Sequence, residues 1–161
     1  MNKKPYIIAF CFFILDFISK QVIIKVIDLH ESIKIINNFF YLTYTRNTGA
    51  AFSILEDGRI LFLIITVIAL FFINKYMNKE DIKGIDNVIY GMIIGGIFGN
   101  LYDRVVYGYV IDFLDFKIFG YNYPVFNLAD TFIVVGVITM IVANLYKDFK
   151  IKRLNKKSGD K

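Results

Sequence analysis

Four stretches of this chain are long and apolar enough to cross a bilayer, at about residues 5–26, 59–77, 85–106 and 126–146. A hydrocarbon core roughly 30 Å thick takes about 20 mostly apolar helical residues, so each predicts a membrane helix. The second, ILFLIITVIALFFI, is broken only by Thr66 and reads as mainly lipid-facing. The third carries Gly91, Gly95 and Gly99 at four-residue spacing, which puts small residues on one face and lets a neighbouring backbone come close. The connection SIKIINNFFYLTYTRNTGAAFSIL alternates in part and is rich in Ile, Phe, Tyr and Thr, so it predicts short strands lying on the membrane surface, centred on residues 40–55. Tyr121 to Pro124 reads as a turn that directs the fourth helix. The expected fold is all-α and integral to the membrane: an up-down bundle of four transmembrane helices with a small extracytoplasmic β element. It forms one domain over 1–161, ending in a basic tail over 147–161.

Composition agrees with this pattern. With 161 residues, 57% hydrophobic and 17% aromatic, and a mean hydropathy of +0.54, the chain is too apolar for a soluble domain and too short for two. The net charge of +5 does not point to nucleic acid, because the basic residues gather at the ends and in one connection rather than along one face. They act as topology signals: Lys3 and Lys4, then Lys75, Lys79 and Lys83, then seven from Lys147 to Lys161. By the positive-inside rule both termini are cytoplasmic, and connections 27–58 and 107–125 face outward. The tail is a solvated basic anchor beside anionic headgroups. The N-terminus has the basic start and apolar run of a secretory signal, but no small-x-small site follows, so an uncleaved first helix is expected. Cys11 and His30 are single residues of their type, which excludes an internal disulfide and leaves too few soft ligands for a zinc site. No metal or cofactor is expected, although an Asp/Asn cluster is the donor type that suits Mg²⁺ or Ca²⁺.

The polar residues carry the functional signal. Asn100, Asp103 and Arg104 lie at i, i+3 and i+4 where the third span reaches the outer boundary; Asn127 and Asp130 open the fourth span there, and Asp112 lies between. The topology therefore brings Arg104, Asp112, Asn127 and Asp130 to one membrane face. In the first span Asp16 and Lys20 stand at i and i+4, so a carboxylate can be buried against an ammonium. Two carboxylates about 4 Å apart at an effective dielectric near 20 repel by roughly 4 kcal/mol, or about three pKa units. Such a pair shares one proton near neutral pH, which makes one member a general base for water and the other a general acid.

Four blocks, DFISK at 16–20, TRNTGAAFSIL at 45–55, GNLYDRVVYGYVIDFLDF at 99–116 and YPVFNLADTFIVVG at 123–136, resemble in order and spacing those of the bacterial lipoprotein signal peptidases, or signal peptidase II. The resemblance runs from the first span to the fourth and leaves out only the basic tail. It implies a polytopic aspartic endopeptidase of the bacterial cytoplasmic membrane, active near the outer leaflet. Such an enzyme removes the signal peptide of a diacylglyceryl-modified prolipoprotein on the amino side of the lipidated cysteine. It implies Asp112 and Asp130 as the catalytic pair, and Asn47, Asn100, Arg104 and Asn127 as substrate-pocket residues. Asp16 and Lys20 fall on positions of stability or binding, and the segment around residues 40–55 would correspond to the family's β-cradle. The expected partners are the prolipoprotein and membrane lipid, with the protein a monomer. The family's first block usually has glutamine directly after its aspartate, where this chain has Phe17.

Plainer roles stand beside these. Asp130 lies in the first turn of its helix, where the macrodipole favours an anion, and Asp103 is read mainly as holding the following loop. Asp115 lies outside the matched position. Arg104 can contact substrate or snorkel to the interface, and Asn47, before Gly49, suits a turn. His30 sits in a polar loop, and Cys11 reads as a packing residue. Two other classes of function remain open: a small transporter or ion-pathway subunit, which would use Asp16, Lys20 and Arg104 along a route through the membrane, and a non-catalytic assembly factor.

Overall fold

The computed structural model describes residues 2–49, 59–79 and 82–159. Four long helices dominate it: α1 (Lys4–Val26), α2 (Arg59–Lys79), α3 (Ile85–Val106) and α4 (Leu128–Gly159). Between them run β1 (Ser32–Ile36), β2 (Phe40–Asn47), β3 (Val110–Ile118) and β4 (Tyr121–Asn122). The four helices coincide with the four apolar stretches. Three, at Lys4–Val26, Ile60–Asn78 and Leu128–Lys147, are long and apolar enough to cross a membrane. α3 carries Asp86, Asn87, Asn100, Asp103 and Arg104, and it is the central helix, packed along α1 on one side and α4 on the other.

Glycines set that packing. A Cβ on Gly91 would meet the Ile8 side chain at 2.5 Å, one on Gly95 the Ala9 carbonyl oxygen at 2.6 Å, and one on Gly99 would collide with the Asp16 carboxylate. All three glycines of the stripe therefore face α1, as small-residue spacing predicts. α2 is exposed along nearly all its length and packs chiefly on α3.

The outer connections build one antiparallel sheet of order β1-β2-β3-β4. Two of its four strands were not expected from the sequence. β3 and β4 come from the second connection, and Tyr121–Asn122, expected as a turn, are strand residues paired with Ile118 and Lys117. The turn lies two residues earlier, at Phe119 (φ 50°) and Gly120 (φ 79°), the positive-φ pair of a type I′ hairpin. Part of the predicted strand segment, residues 50–55, lies outside the described residues. Cys11 is exposed on α1 rather than packed. α4 also continues through most of the basic tail, since Lys, Arg and Leu are good helix formers.

Candidate active site

Three local devices bring the polar residues together. At the end of α3 the chain turns through Gly108 (φ 85°), and the Asp103 carboxylate accepts from the Ile111 backbone N–H at 3.1 Å, tying the start of β3 to the helix it has just left. β3 then alternates. Ile111 and Phe113 pack with Ile23, Ile27 and Tyr44 on one face, which turns Val110 and Asp112 to the other. Asp112 stands opposite Thr45 of β2, just past a bulge between Leu42 and Thr45, so Asn47 reaches it.

The third device is the start of α4. Phe126 pairs with β3 through Leu114 N–H to Phe126 O at 2.7 Å and Phe126 N–H to Leu114 O at 3.1 Å, which sets Asn127 beside Asp112. Asn127 and Asp130 then form a reciprocal capping box. The Asp130 N–H donates to Asn127 Oδ1 at 2.9 Å, and the Asn127 N–H donates to Asp130 Oδ2 at 3.3 Å. A second carboxylate serves the same helix end, since Ala129 N–H donates to Asp16 Oδ1 of α1 at 2.8 Å.

The result is a continuous polar network in an apolar bundle. Asn127, 0% exposed, donates from Nδ2 to Asp112 Oδ1 at 2.6 Å, to Asn100 Oδ1 at 3.1 Å and to Ile111 O at 3.3 Å. Asn100 Nδ2 donates to Asp130 Oδ1 at 2.7 Å, and Asn47 Nδ2 to Asp112 Oδ2 at 2.9 Å. Behind them lies the Lys20 ammonium, 1% exposed, 2.7 Å from Asp16 Oδ2, 2.9 Å from Asp103 Oδ2 and 3.1 Å from Asn100 Oδ1. The Asp16 Oδ2 contact is a charge contact without a well-angled hydrogen bond. Two buried carboxylates around one buried ammonium offset much of each other's desolvation, the condition under which such a cluster persists away from water.

Asp112 and Asp130 both line a cavity of about 510 Å³. Its polar end also holds Asn47, Asn100 and Arg104, and its walls are apolar, with Val110, Phe126, Val134 and Val135 among them. Burial, and after it the charge of Asp130, pushes the Asp112 carboxyl up to about 7, against the hydrogen bonds from Asn47 and Asn127 that favour its ionised form. A carboxyl with that value is about half protonated at neutral pH, where an ordinary carboxyl is almost wholly ionised. The arrangement therefore offers an acid beside a second carboxylate at the polar end of a greasy cavity.

Every residue singled out from the sequence can now be located. Asn47, Asn100, Arg104, Asp112 and Asp130 line the cavity, and Asn127 lies buried directly behind Asp112 and Asp130. Asp16, Lys20 and Asp103 form the supporting cluster, with Asp103 paired to Lys20 and anchoring the loop. Arg104 lies over the Phe62 ring at 4.9 Å and reaches toward the backbone oxygens of Asn100 and Gly49 at 3.4 and 3.5 Å. Asn47 makes its turn contact as well, accepting from Gly49 N–H at 3.0 Å. Asp115 bonds Thr43 at 2.8 Å within the sheet, and His30 is a loop residue bonded through its backbone to Tyr44. Phe17 sets its ring edge-to-face against Tyr102 at 5.4 Å. Sequence reasoning missed Thr131, which lines the cavity and bonds back to Asn127 O at 3.0 Å. It also missed the capping box, although the N-x-x-D spacing was its signal.

Comparison with known proteins gives the family of the chain. Residues 8–146 match the family model for signal peptidase (SPase) II. The lipoprotein signal peptidase of Halothermothrix orenii is 43% identical over 137 residues, covering 85% of this chain and 92% of that protein. Two solved structures, each described as a bacterial membrane enzyme determined by the in meso method, are 36% identical. One, at 2.3 Å resolution, has a TM-score of 0.80 and covers 89% of this chain and 88% of that one. The other, at 1.9 Å, has a TM-score of 0.77 and covers 88% and 92%. With a family match over most of its length and a relative this close, the chain belongs to the signal peptidase II family.

Proposed function

We propose that this protein is an aspartic endopeptidase that removes signal peptides from diacylglyceryl-modified prolipoproteins, cutting on the amino side of the lipidated cysteine with Asp112 and Asp130 as its catalytic pair. The observation that carries the reading is the convergence of these two carboxylates on Asn127 at the polar end of an apolar-walled cavity, in a chain of this family. Asp112 enters the reaction holding the shared proton. Asp130, less buried than Asp112, takes a proton from water as the water attacks the scissile carbonyl, and Asp112 hydrogen-bonds the developing oxyanion. Asp130 then gives the proton it took from water to the leaving amine as the C–N bond breaks and the carbonyl re-forms, while Asp112 keeps its own, so the pair is reset. Asn47, Asn100 and Arg104 contact the substrate backbone, while Asn127 holds the two carboxylates in register. Asp16, Lys20 and Asp103 support the site from behind. The described residues belong to one polytopic domain, a monomer with both termini cytoplasmic and the cavity near the outer leaflet. α3 is the fourth crossing, its 22 residues spanning about 33 Å at 1.5 Å each.

A transport route has no comparable support, since α3 has no charged residue between Asn87 and Asn100. The test is cleavage by purified protein of a prolipoprotein with and without its diacylglyceryl group, the released fragment being identified by mass. Cleavage of the lipidated form alone, one bond before the modified cysteine, is expected. Equal cleavage of both forms, or none of either by folded protein, overturns the substrate assignment.

A further inference from the structure

At the end of the bundle remote from the carboxylates, α2 and α4 part company. α2 leans on α3, and between its last turns and α4 lies a groove of about 530 Å³. Its walls include Phe72, Ile73, Tyr76 and Met140, and two polar side chains, Lys75 and Asn144, complete it. A smaller polar pocket adjoins it and shares Tyr76, Met140 and Asn144 with it. That pocket contains Asp86 and Lys147, whose ammonium lies 2.9 and 3.2 Å from the two carboxylate oxygens. Asp86 is thus neutralised by its own partner. No carboxylate among the described residues pairs with Lys75, which is exposed at the groove. The feature lies well away from the peptidase cavity: Asn144 is 14 residues along α4 from Asp130, about 21 Å at 1.5 Å per residue.

We infer that this groove is a binding site for an anionic diacyl phospholipid, with an acyl chain along Phe72, Ile73 and Met140 and the headgroup phosphate on the Lys75 ammonium and the Asn144 amide. An apolar trough opening to a lone ammonium and an amide donor matches a lipid chemically at both ends. A basic pocket between helices close to the end of a span is a common way for such headgroups to be held. A zwitterionic lipid fills the trough equally well but brings its own cation to Lys75, so the preference is for net negative charge. The site rests on the chain being embedded in a membrane and owes nothing to its peptidase chemistry.

Native mass spectrometry of the detergent-purified full chain tests this, with phosphatidylglycerol and phosphatidylcholine of identical acyl chains as probes. Wild type is expected to retain phosphatidylglycerol in preference, and Lys75→Gln to lower that retention about fivefold, the change corresponding to about 1 kcal/mol for one surface cation. Phosphatidylcholine retention should stay as it was. The triple variant K150Q/K152Q/R153Q, which alters the solvated part of α4 alone, should keep the preference. Equal retention of the two lipids by wild type overturns the inference. So does a preference that survives Lys75→Gln, or one that the tail variant loses equally.

Discussion

Replacing Asn127 separates the proposed chemistry from the architecture that holds it. The side chain does two jobs: Oδ1 accepts the Asp130 N–H at 2.9 Å as a helix cap, and Nδ2 donates to Asp112 Oδ1 at 2.6 Å. Asn127→Ala removes both. Loss of an N-cap costs about 1 kcal/mol, and loss of a hydrogen bond to a charged group about 1.5–3 kcal/mol. Asn127→Ser keeps a capping oxygen but is too short to reach Asp112, so it should recover about 1 kcal/mol of the stability and none of the activity. The hydrogen bond favours ionised Asp112, so its removal raises that carboxyl above its value of about 7. In wild type, activity should fall as pH rises above about 7, because Asp112 then gives up the proton the pair needs. Both variants should move this alkaline limb upward by about one to two pH units, which is 1.5–3 kcal/mol at 1.36 per unit. They should also lower kcat about 100-fold through misplacement of the pair. The assay is cleavage of lipidated prolipoprotein from about pH 5 to 10, alongside thermal unfolding in detergent. If Asn127→Ser restores activity together with stability, or the alkaline limb stays where wild type has it, the residue is a cap and nothing more, and the reasoning fails.

Other substitutions probe the scaffold. Lys20→Met leaves Asp16 and Asp103 buried without their shared ammonium and should cost about 3–5 kcal/mol, read as a lower Tm or loss of folded protein. Gly99→Ala drives a methyl group into the Asp16 carboxylate and to 3.2 Å from the Ala129 Cβ, so it should destabilise by about 1–3 kcal/mol. Phe17→Gln restores the residue usual in the family but gives up the edge-to-face contact with Tyr102. A stability loss of about 0.5–1.5 kcal/mol is expected, with kcat unchanged, because the ring of Phe17 packs on the aromatic rings of Tyr102 and Phe13.

The helices were legible because a membrane span is written in consecutive apolar residues, and the glycine stripe was legible because its spacing matches the helical repeat. The sheet was only half legible. β2 stood out through its Tyr and Thr content, but β3 begins with four buried residues, Val110 to Phe113, that face the core and the cavity in turn, so apolar alternation is lost where the strand matters most. Pairing between segments more than 60 residues apart has no local sequence signal. In the site, the Asp16–Lys20 pair could be read from its i, i+4 spacing, and the convergence of Asp112 with Asp130 from helix direction alone. The contact of Asp103 with Lys20 could not, because its neighbour in sequence, Arg104, offered a nearer cation. The role of Asn127 as the shared partner of Asp112, Asp130 and Asn100 needs three chain segments placed at once, and only the fold supplies that.

The central claim is that Asp112 and Asp130 act together, and the most direct measurement is single-turnover cleavage of a diacylglyceryl-modified prolipoprotein by Asp112→Asn and Asp130→Asn. Each variant keeps the shape of its side chain and should fold and insert as wild type does. The account predicts that each alone abolishes cleavage and that the double variant is no worse than either single one. Substantial cleavage by either folded variant would contradict it.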